Sequence, residues 1–240
     1  MSTSASTLAP LVVPARFNGP AGSGNGGWSA GALAAYVDAT GGPVEVTLRQ
    51  PPPLDTAMEV VEEDGVLTAV HGGAPALSAR PAPGALQGVA GVSIAEARAA
   101  ATRYPGLAQH PFPTCFTCGT DRAEGDGLRI FPGPVEPLDG LPRVAATWVA
   151  ADTDLPVVWA ALDCAGAWAA DMEDRMMVLG RMSAEVLRTP VPGEEHVVVG
   201  LARGSEGRKH RTATSVIDAR GEVVGRAEQV WIEVSPEAFA

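Results

Sequence analysis

One pattern occurs twice in this chain of 240 residues, and the duplication restricts the possible folds more than any other feature. The segment Leu-Arg-Gln-Pro-Pro-Pro at residues 48–53 returns as Leu-Arg-Thr-Pro-Val-Pro at residues 187–192, 139 positions later. Each copy ends the first strand predicted after an apolar helix, and further strands follow each copy. Because the match occurs at equivalent places in two similar patterns, duplication explains it better than chance.

The predicted elements follow the same order in both halves. An early strand near Phe17 and a Gly-rich loop at residues 19–27 lead into the first helix, and a further helix is predicted between the halves. About ten residues, 171–181, are inserted between the second helix and its strands. The predicted helices are 28–37, 93–104 and 157–172. The other predicted strands are 44–50, 56–61, 66–70, 76–80, 143–149, 184–189, 196–203, 209–218 and 223–234.

A helix followed by antiparallel strands, occurring twice, predicts an α+β protein in which each of two sheets wraps one long, buried helix. This arrangement resembles the hotdog fold. Its duplication resembles a double hotdog, in which two units form a pseudo-dimer within one chain. The predicted organisation is a flexible arm at 1–15, a first unit at 16–82, a connector at 83–127 and a second unit at 128–240.

Composition narrows the range of partners. The chain has 17 Lys and Arg against 28 Asp and Glu, a formal net charge of −11 that repels nucleic acid and anionic lipid. No apolar run reaches the roughly 18 residues needed to cross a bilayer, and the first residues lack a signal-peptide pattern. Three cysteines do not suit a disulfide scaffold in a chain of this length. We therefore expect a soluble, cytoplasmic protein with no nucleic-acid or membrane partner.

The triplet Asn25, Gly26 and Gly27 stands immediately before the first predicted helix. Free N–H groups at a helix start bind developing negative charge. The triplet resembles the His-Gly-Gly of hotdog thioesterases of the phenylacetyl-CoA and 4-hydroxybenzoyl-CoA type, although Asn25 stands in place of His. The resemblance implies that the Gly26 N–H polarises the thioester carbonyl. The simpler interpretation is that Asn25 caps the helix and the glycines form a turn.

Asp163 lies in the middle of the second apolar helix, where burying a carboxylate is costly and should raise its pKa. The same thioesterases place a catalytic Asp or Glu nine residues after the first residue of the triplet. Nine residues after Asn25 is Ala34, whereas nine before Asp163 is Asp154, followed by Leu-Pro instead of two glycines. Since hotdog sites lie between two units, the resemblance implies one composite site, Asp163 with Gly26, and one inactive pseudo-site. The alternative is a purely structural hydrogen bond at Asp163.

A further resemblance lies in the connector. Cys115-Phe-Thr-Cys118-Gly, with Gly-Leu at residues 127–128, is similar to a Cys-Phe-x-Cys-Gly…Gly-Leu segment of many hotdog thioesterases. This pair and a nearby His supply at most three zinc ligands, and no second pair completes a structural site. We predict no metal here and a packed, reduced turn; zinc and a redox pair are the alternatives.

The densest basic cluster lies at residues 208–211. We predict that Arg208, Lys209 and Arg211 hold the phosphates of coenzyme A, with Lys209 and Arg211 on one face of a strand. The alternative is a solvated strand end.

These features together predict hydrolysis of an acyl-CoA thioester, with Asp163 as general base or nucleophile. Coenzyme A would be part of the substrate, and no separate cofactor is expected. One alternative is a non-catalytic protein that binds acyl-CoA or another small apolar ligand. A second is an enoyl-CoA hydratase-like enzyme, although the paired Asp and His of that branch are not found. The acyl group and a homodimer of the fused unit stay open.

Overall fold

The computed structural model describes residues 8–38, 41–235 and 237, and these residues contain four α-helices and one ten-stranded antiparallel sheet. The helices are α1 (Gly26–Ala34), α2 (Ile94–Ala101), α3 (Leu155–Ala161) and α4 (Cys164–Ala169). The strands are β1 (Val44–Leu48), β2 (Glu59–Glu63), β3 (Val66–His71), β4 (Ala74–Pro81), β5 (Gly133–Leu138), β6 (Leu141–Val149), β7 (Met177–Val186), β8 (Glu195–Glu206), β9 (Lys209–Ile217) and β10 (Val223–Glu233). The predicted α+β class is confirmed.

The two halves of the chain join edge to edge in the sheet. The strand order is β2-β3-β4-β1-β7-β10-β9-β8-β6-β5, so four strands of the first half meet six of the second at β1 and β7. These are the strands that end in the repeated Leu-Arg segment. Val44 pairs with Ala184, and Glu45 pairs with Ser183. Since positions 183 and 184 follow 44 and 45 by the same 139 positions as the repeat, the pairing has twofold symmetry. The sheets predicted for the two halves thus join edge to edge, because backbone hydrogen bonds between β1 and β7 make them one continuous sheet.

The helices lie against the strands of their own halves. α1 packs against β1 and β4 and reaches β7, whereas α4 packs against β6, β8 and β9. α1 and α3 also cross each other at close range because α1 presents glycines there. A Cβ on Gly31 would lie 2.7 Å from the Trp159 Cβ and 2.8 Å from the Pro156 Cα. The helix crossing therefore sits where the two halves meet. No helix among the described residues is long and apolar enough to cross a membrane.

The start of the chain differs from the prediction. Residues 1–7 of the predicted flexible arm lie outside the described residues, but Leu11 and Val13 are buried and form single bridges with Met58 and Leu54. The predicted strand near Phe17 is a short 3-10 turn. Prolines at positions 10 and 14 flank the bridged segment and remove N–H donors, which limits the pairing to two bridges. The bridged segment lies beside β2 in the first half, which is the place that β6 takes beside β8 in the second half.

The second half contains three further differences. β5 was not predicted, because its sequence Gly-Pro-Val-Glu-Pro-Leu lacks regular alternation and contains two prolines. β7 begins at Met177, so the strand takes up half of the predicted insertion at 171–181. The helix predicted at 157–172 is two short helices, α3 and α4, with a break between them at Leu162 and Asp163.

Candidate functional site

The helix crossing brings Asp163 to the N-terminus of α1. The Gly27 N–H donates a hydrogen bond of 2.9 Å to Oδ2 of Asp163. Asp163 is 1% exposed, and its Oδ1 has no hydrogen-bond partner among the described residues. A Cβ on Gly27 would lie 2.6 Å from the Asp163 Cβ, so this approach requires glycine. The sequence analysis expected Asp163 to act with Gly26, whereas the hydrogen bond to Asp163 comes from the N–H of the next residue, Gly27.

The break between α3 and α4 is fixed by a buried polar network from β9 and β10. The Leu162 carbonyl accepts hydrogen bonds from Oγ1 of Thr214 (2.6 Å) and Nε2 of Gln229 (2.7 Å). The Gly166 N–H, which would bond that carbonyl in a regular helix, instead bonds the Asp163 carbonyl at 3.3 Å. Thr212 donates to Oε1 of Gln229 and completes the network. Asp163 therefore sits at a helix discontinuity whose geometry is set from the sheet.

Asp163 lies on the wall of a pocket with a volume of about 260 Å³. Asn25 and Gly26 line the same pocket. As the first residue of α1, Gly26 has an N–H with no acceptor in the helix, and none of the described residues accepts from it. Most of the remaining wall is apolar and includes Leu48, Phe112, Met172, Met177, Leu179 and Trp231. Asp163 and the first residue of α1 thus belong to the lining of one largely apolar pocket.

Burial raises the pKa of Asp163 to about 7, and the Gly27 N–H opposes part of that rise by stabilising the charged form. A carboxyl group with such a pKa is partly ionised at neutral pH and can accept a proton there. Perturbed carboxyl groups in pockets are typical of functional sites.

Asn25 acts as the N-cap of α1, which is the simpler of the two interpretations of this residue. Its Oδ1 accepts the Trp28 N–H at 2.8 Å. Its Nδ2 lies 3.3 Å from Oγ1 of Thr117, which donates to the Ala160 carbonyl of α3. Asn25 therefore ties the start of α1 to both the connector and α3.

The predicted Cys-x-x-Cys turn is buried, and a third cysteine joins it. The Sγ atoms of Cys115 and Cys164 are 3.8 Å apart, and those of Cys115, Cys118 and Cys164 all lie within 4.8 Å of one another. Hydrogen bonds from Cys118 and Cys164, followed by those from backbone N–H groups, lower the pKa of the Cys115 thiol well below its usual value despite burial. Sequence reasoning did not join Cys164 to this pair, because it lies 46 positions after Cys118.

The structure does not place the predicted basic cluster in the pocket wall. Lys209 and Arg211 are exposed on one face of β9, as the alternation predicted. Arg211 pairs with Glu206 at 2.9 Å, and Arg208 contacts the Glu233 carbonyl. The cluster lies beside β10, whose Trp231 and Ile232 line the pocket.

Two pocket residues were not singled out from the sequence. Arg49 is exposed at the pocket and takes part in none of the ion pairs among the described residues. Its counterpart in the repeat, Arg188, pairs with Asp218 at 3.0 Å instead. Trp231 lines the pocket, and its indole N–H has no partner among the described residues. Arg49 belongs to the repeated Leu-Arg segment. In the sequence that repeat indicated a duplication and gave no sign that Arg49 lies at a pocket.

Comparison with solved structures shows the fold. A TesB protein from Mycobacterium avium subspecies paratuberculosis is 16% identical, with a TM-score of 0.55 over 96% of this chain and 93% of that one. An acyl-CoA thioesterase II, TesB2, from Mycobacterium marinum is 12% identical, with a TM-score of 0.54 over 91% and 92%. A hot dog fold protein of unknown function from Alicyclobacillus acidocaldarius is 12% identical, with a TM-score of 0.57 over 97% and 93%.

The fold is a double hotdog. The solved structures align over nearly the whole of both chains, so the likeness includes both halves and the seam between them. No protein-family model matches the sequence, and no curated protein matches it significantly. The likeness therefore concerns architecture, and the chemistry has to be argued from the site.

Proposed function

We propose that this protein hydrolyses an acyl-CoA thioester at the composite site between its two halves. One observation carries the proposal: a buried carboxylate, Asp163, accepts the Gly27 N–H through Oδ2 and belongs to the lining of a pocket that also includes Gly26. The names of the solved structures from the two mycobacteria, a TesB protein and an acyl-CoA thioesterase II, support the same class of reaction.

In the proposed reaction the thioester carbonyl oxygen accepts a hydrogen bond from the Gly26 N–H, which stabilises the negative charge that develops on it. As general base, Asp163 takes a proton from water while the water oxygen bonds to the carbonyl carbon. The carbon–sulfur bond then breaks, and the proton passes to the departing thiolate, which gives a carboxylic acid and coenzyme A. As nucleophile, the Asp163 carboxylate would instead bond to the carbonyl carbon and expel coenzyme A thiolate, and water would then hydrolyse the resulting mixed anhydride to the carboxylic acid and free Asp163.

The pocket and its mouth suit the two parts of such a substrate. Leu48, Met177 and Leu179 offer apolar surface for the acyl group. Arg49 supplies an exposed cation at the pocket for a phosphate of coenzyme A. This assignment differs from the predicted clamp at Arg208, Lys209 and Arg211, which lies one strand away from the pocket wall.

The decisive experiment compares Asp163→Asn with Asp154→Asn, a change at the N-cap of α3, which is the place equivalent to Asn25. Thiol release from short, aromatic and long acyl-CoAs should fall by about 10²–10⁴ in Asp163→Asn, and more if Asp163 is the nucleophile. Asp154 is exposed, and Asp154→Asn should leave the rate of thiol release unchanged. A wild type inactive on every acyl-CoA would favour a binding protein, and a fully active Asp163→Asn would refute the assigned role.

A further inference from the structure

Three thiols from two distant parts of the chain converge on the pocket beside Asp163. Cys115 and Cys118 come from the connector turn, and Cys164 is the first residue of α4. All three are buried, and all three line the pocket. They are free thiols. The proposed hydrolysis uses none of them, so their convergence calls for a separate explanation.

The connector turn places the Cys115 sulfur beside a polar side chain. Nδ2 of Asn25 lies 3.7 Å from that sulfur. Gly119 closes the turn, because a Cβ there would lie 2.5 Å from the Cys115 carbonyl oxygen. A metal ion binds the thiolate form, so binding would release the protons of these thiols.

The spacing of the sulfurs fits a thiophilic cation. A tetrahedral zinc site has Zn–S distances of about 2.3 Å, which places its sulfurs about 3.8 Å apart. The Sγ atoms of Cys115 and Cys164 are already 3.8 Å apart, and Cys118 lies within 4.8 Å of both. A shift of about 1 Å or less by the Cys118 sulfur therefore completes a three-thiolate face.

We propose that Cys115, Cys118 and Cys164 form a binding site for Zn²⁺ or a similar thiophilic ion, with a fourth coordination position open to the pocket. Binding replaces the thiol protons by the metal and involves no oxidation. The fourth position has no side-chain ligand among the described residues of the cluster, so water or an added thiol would fill it from the pocket. Three protein ligands with one open position are typical of zinc sites that act on small molecules.

The test is spectroscopic and does not depend on hydrolysis. Titrating the reduced full-length chain with Cd²⁺ should produce an ultraviolet thiolate-to-metal charge-transfer band that saturates at one equivalent, and Zn²⁺ should remove it by competition. Cys164→Ser should weaken Cd²⁺ binding by more than about 100-fold, since losing a ligand exceeds the roughly 10–100-fold lost with a ligand's hydrogen-bond partner. The absence of a band in the wild type, or an unchanged band in Cys164→Ser, would overturn the proposal.

The control is the exposed acidic group of Asp171, Glu173 and Asp174, which also has metal-ligand spacing. Asp174→Asn should leave the band unchanged, and its loss there would contradict a thiolate site. Should Cys164→Ser not fold, alkylation of the wild type decides the same point, because Zn²⁺ should protect all three cysteines together. In the Co²⁺ form, added 2-mercaptoethanol should shift the visible spectrum, and an unchanged spectrum would exclude the open position.

Discussion

The N-termini of α1 and α3 occupy equivalent places in the two halves but have opposite properties. α1 begins at Gly26 and presents the Gly27 N–H to a carboxylate of the other half. α3 begins with Leu155 and Pro156, and proline has no N–H to donate. Ala34, which cannot accept or donate with its side chain, stands on α1 at the place equivalent to Asp163. A proline and an alanine therefore leave these two places without the amide and carboxylate pair that Gly27 and Asp163 form.

The central helices of the two halves also differ in continuity. α1 is continuous and buries no charged residue, whereas the helix of the second half is broken next to its carboxylate. The break frees the Leu162 carbonyl, which Thr214 and Gln229 satisfy from the sheet. A carboxylate at this depth thus comes with a local departure from helical geometry and a polar network that supports it.

The largest expected effect is on stability as a function of pH. Asp163 has a pKa of about 7 in the folded chain against 3.8 as its ordinary value, so between these values the folded chain keeps a proton that the unfolded chain has lost. The stability of the wild type should therefore fall as pH rises from about 4 through about 7 and change no further above that through this group. Asn does not titrate, so Asp163→Asn should gain on the order of 4 kcal/mol relative to wild type across this range.

Urea unfolding of both proteins from about pH 4 to about pH 8 measures this difference, in which the other groups cancel. Asp154→Asn, at the exposed N-cap of α3, is the control for the loss of one carboxylate from the same half. A difference from wild type that does not change with pH for Asp163→Asn would mean that Asp163 is solvated, and the contrast between the two halves would fail.

A second experiment exchanges the backbone chemistry of the two helix starts. Gly27→Ala should destabilise the fold by about 1–3 kcal/mol, because the added Cβ would meet the Asp163 Cβ at 2.6 Å and the Trp159 carbonyl at 2.7 Å. It should also abolish hydrolysis by displacing Asp163. Pro156→Ala should cost less than about 1 kcal/mol, because alanine is well tolerated at a helix start. Chemical denaturation and thiol release measure both, and equal costs would contradict the asymmetric crossing.

A third experiment tests the support of the broken helix. Gln229→Leu removes one of the two donors to the Leu162 carbonyl and should cost about 1–2 kcal/mol. We expect kcat to fall and KM to change little, because the break that positions Asp163 would relax while the apolar wall stays in place. Steady-state kinetics at constant pH measure kcat and KM separately. An unchanged kcat would show that Thr214 alone holds the break.

The smallest expected effect concerns the two arginines of the repeat. Arg49→Ala should weaken coenzyme A binding by about fivefold and reduce its dependence on salt, since an exposed charge contact contributes about 1 kcal/mol. Arg188→Ala should leave this affinity unchanged, because Arg188 pairs with Asp218. Titration calorimetry at two salt concentrations compares both with Arg211→Ala. A larger loss in Arg211→Ala would return the phosphate site to the basic cluster.

The sequence predicted the duplication, the fold class and the meeting of Asp163 with the glycine triplet, because these depend on local patterns and a family resemblance. It did not predict the helix break, because Thr214 and Gln229 act on Leu162 from more than 50 positions away and look like ordinary strand residues. For the same reason the sequence did not predict that Cys164 lies beside Cys115 and Cys118. Long-range contacts between unremarkable residues carry no local signal.

The seam between β1 and β7 has a consequence for how such a site can change. In an assembly of two identical subunits every substitution appears at both sites, so a proline at one helix start would disable both. Here the partners are encoded separately and held together by one chain, at an effective concentration that does not fall on dilution. Each half is therefore free to accumulate different substitutions, and one can supply the amide while the other supplies the acid.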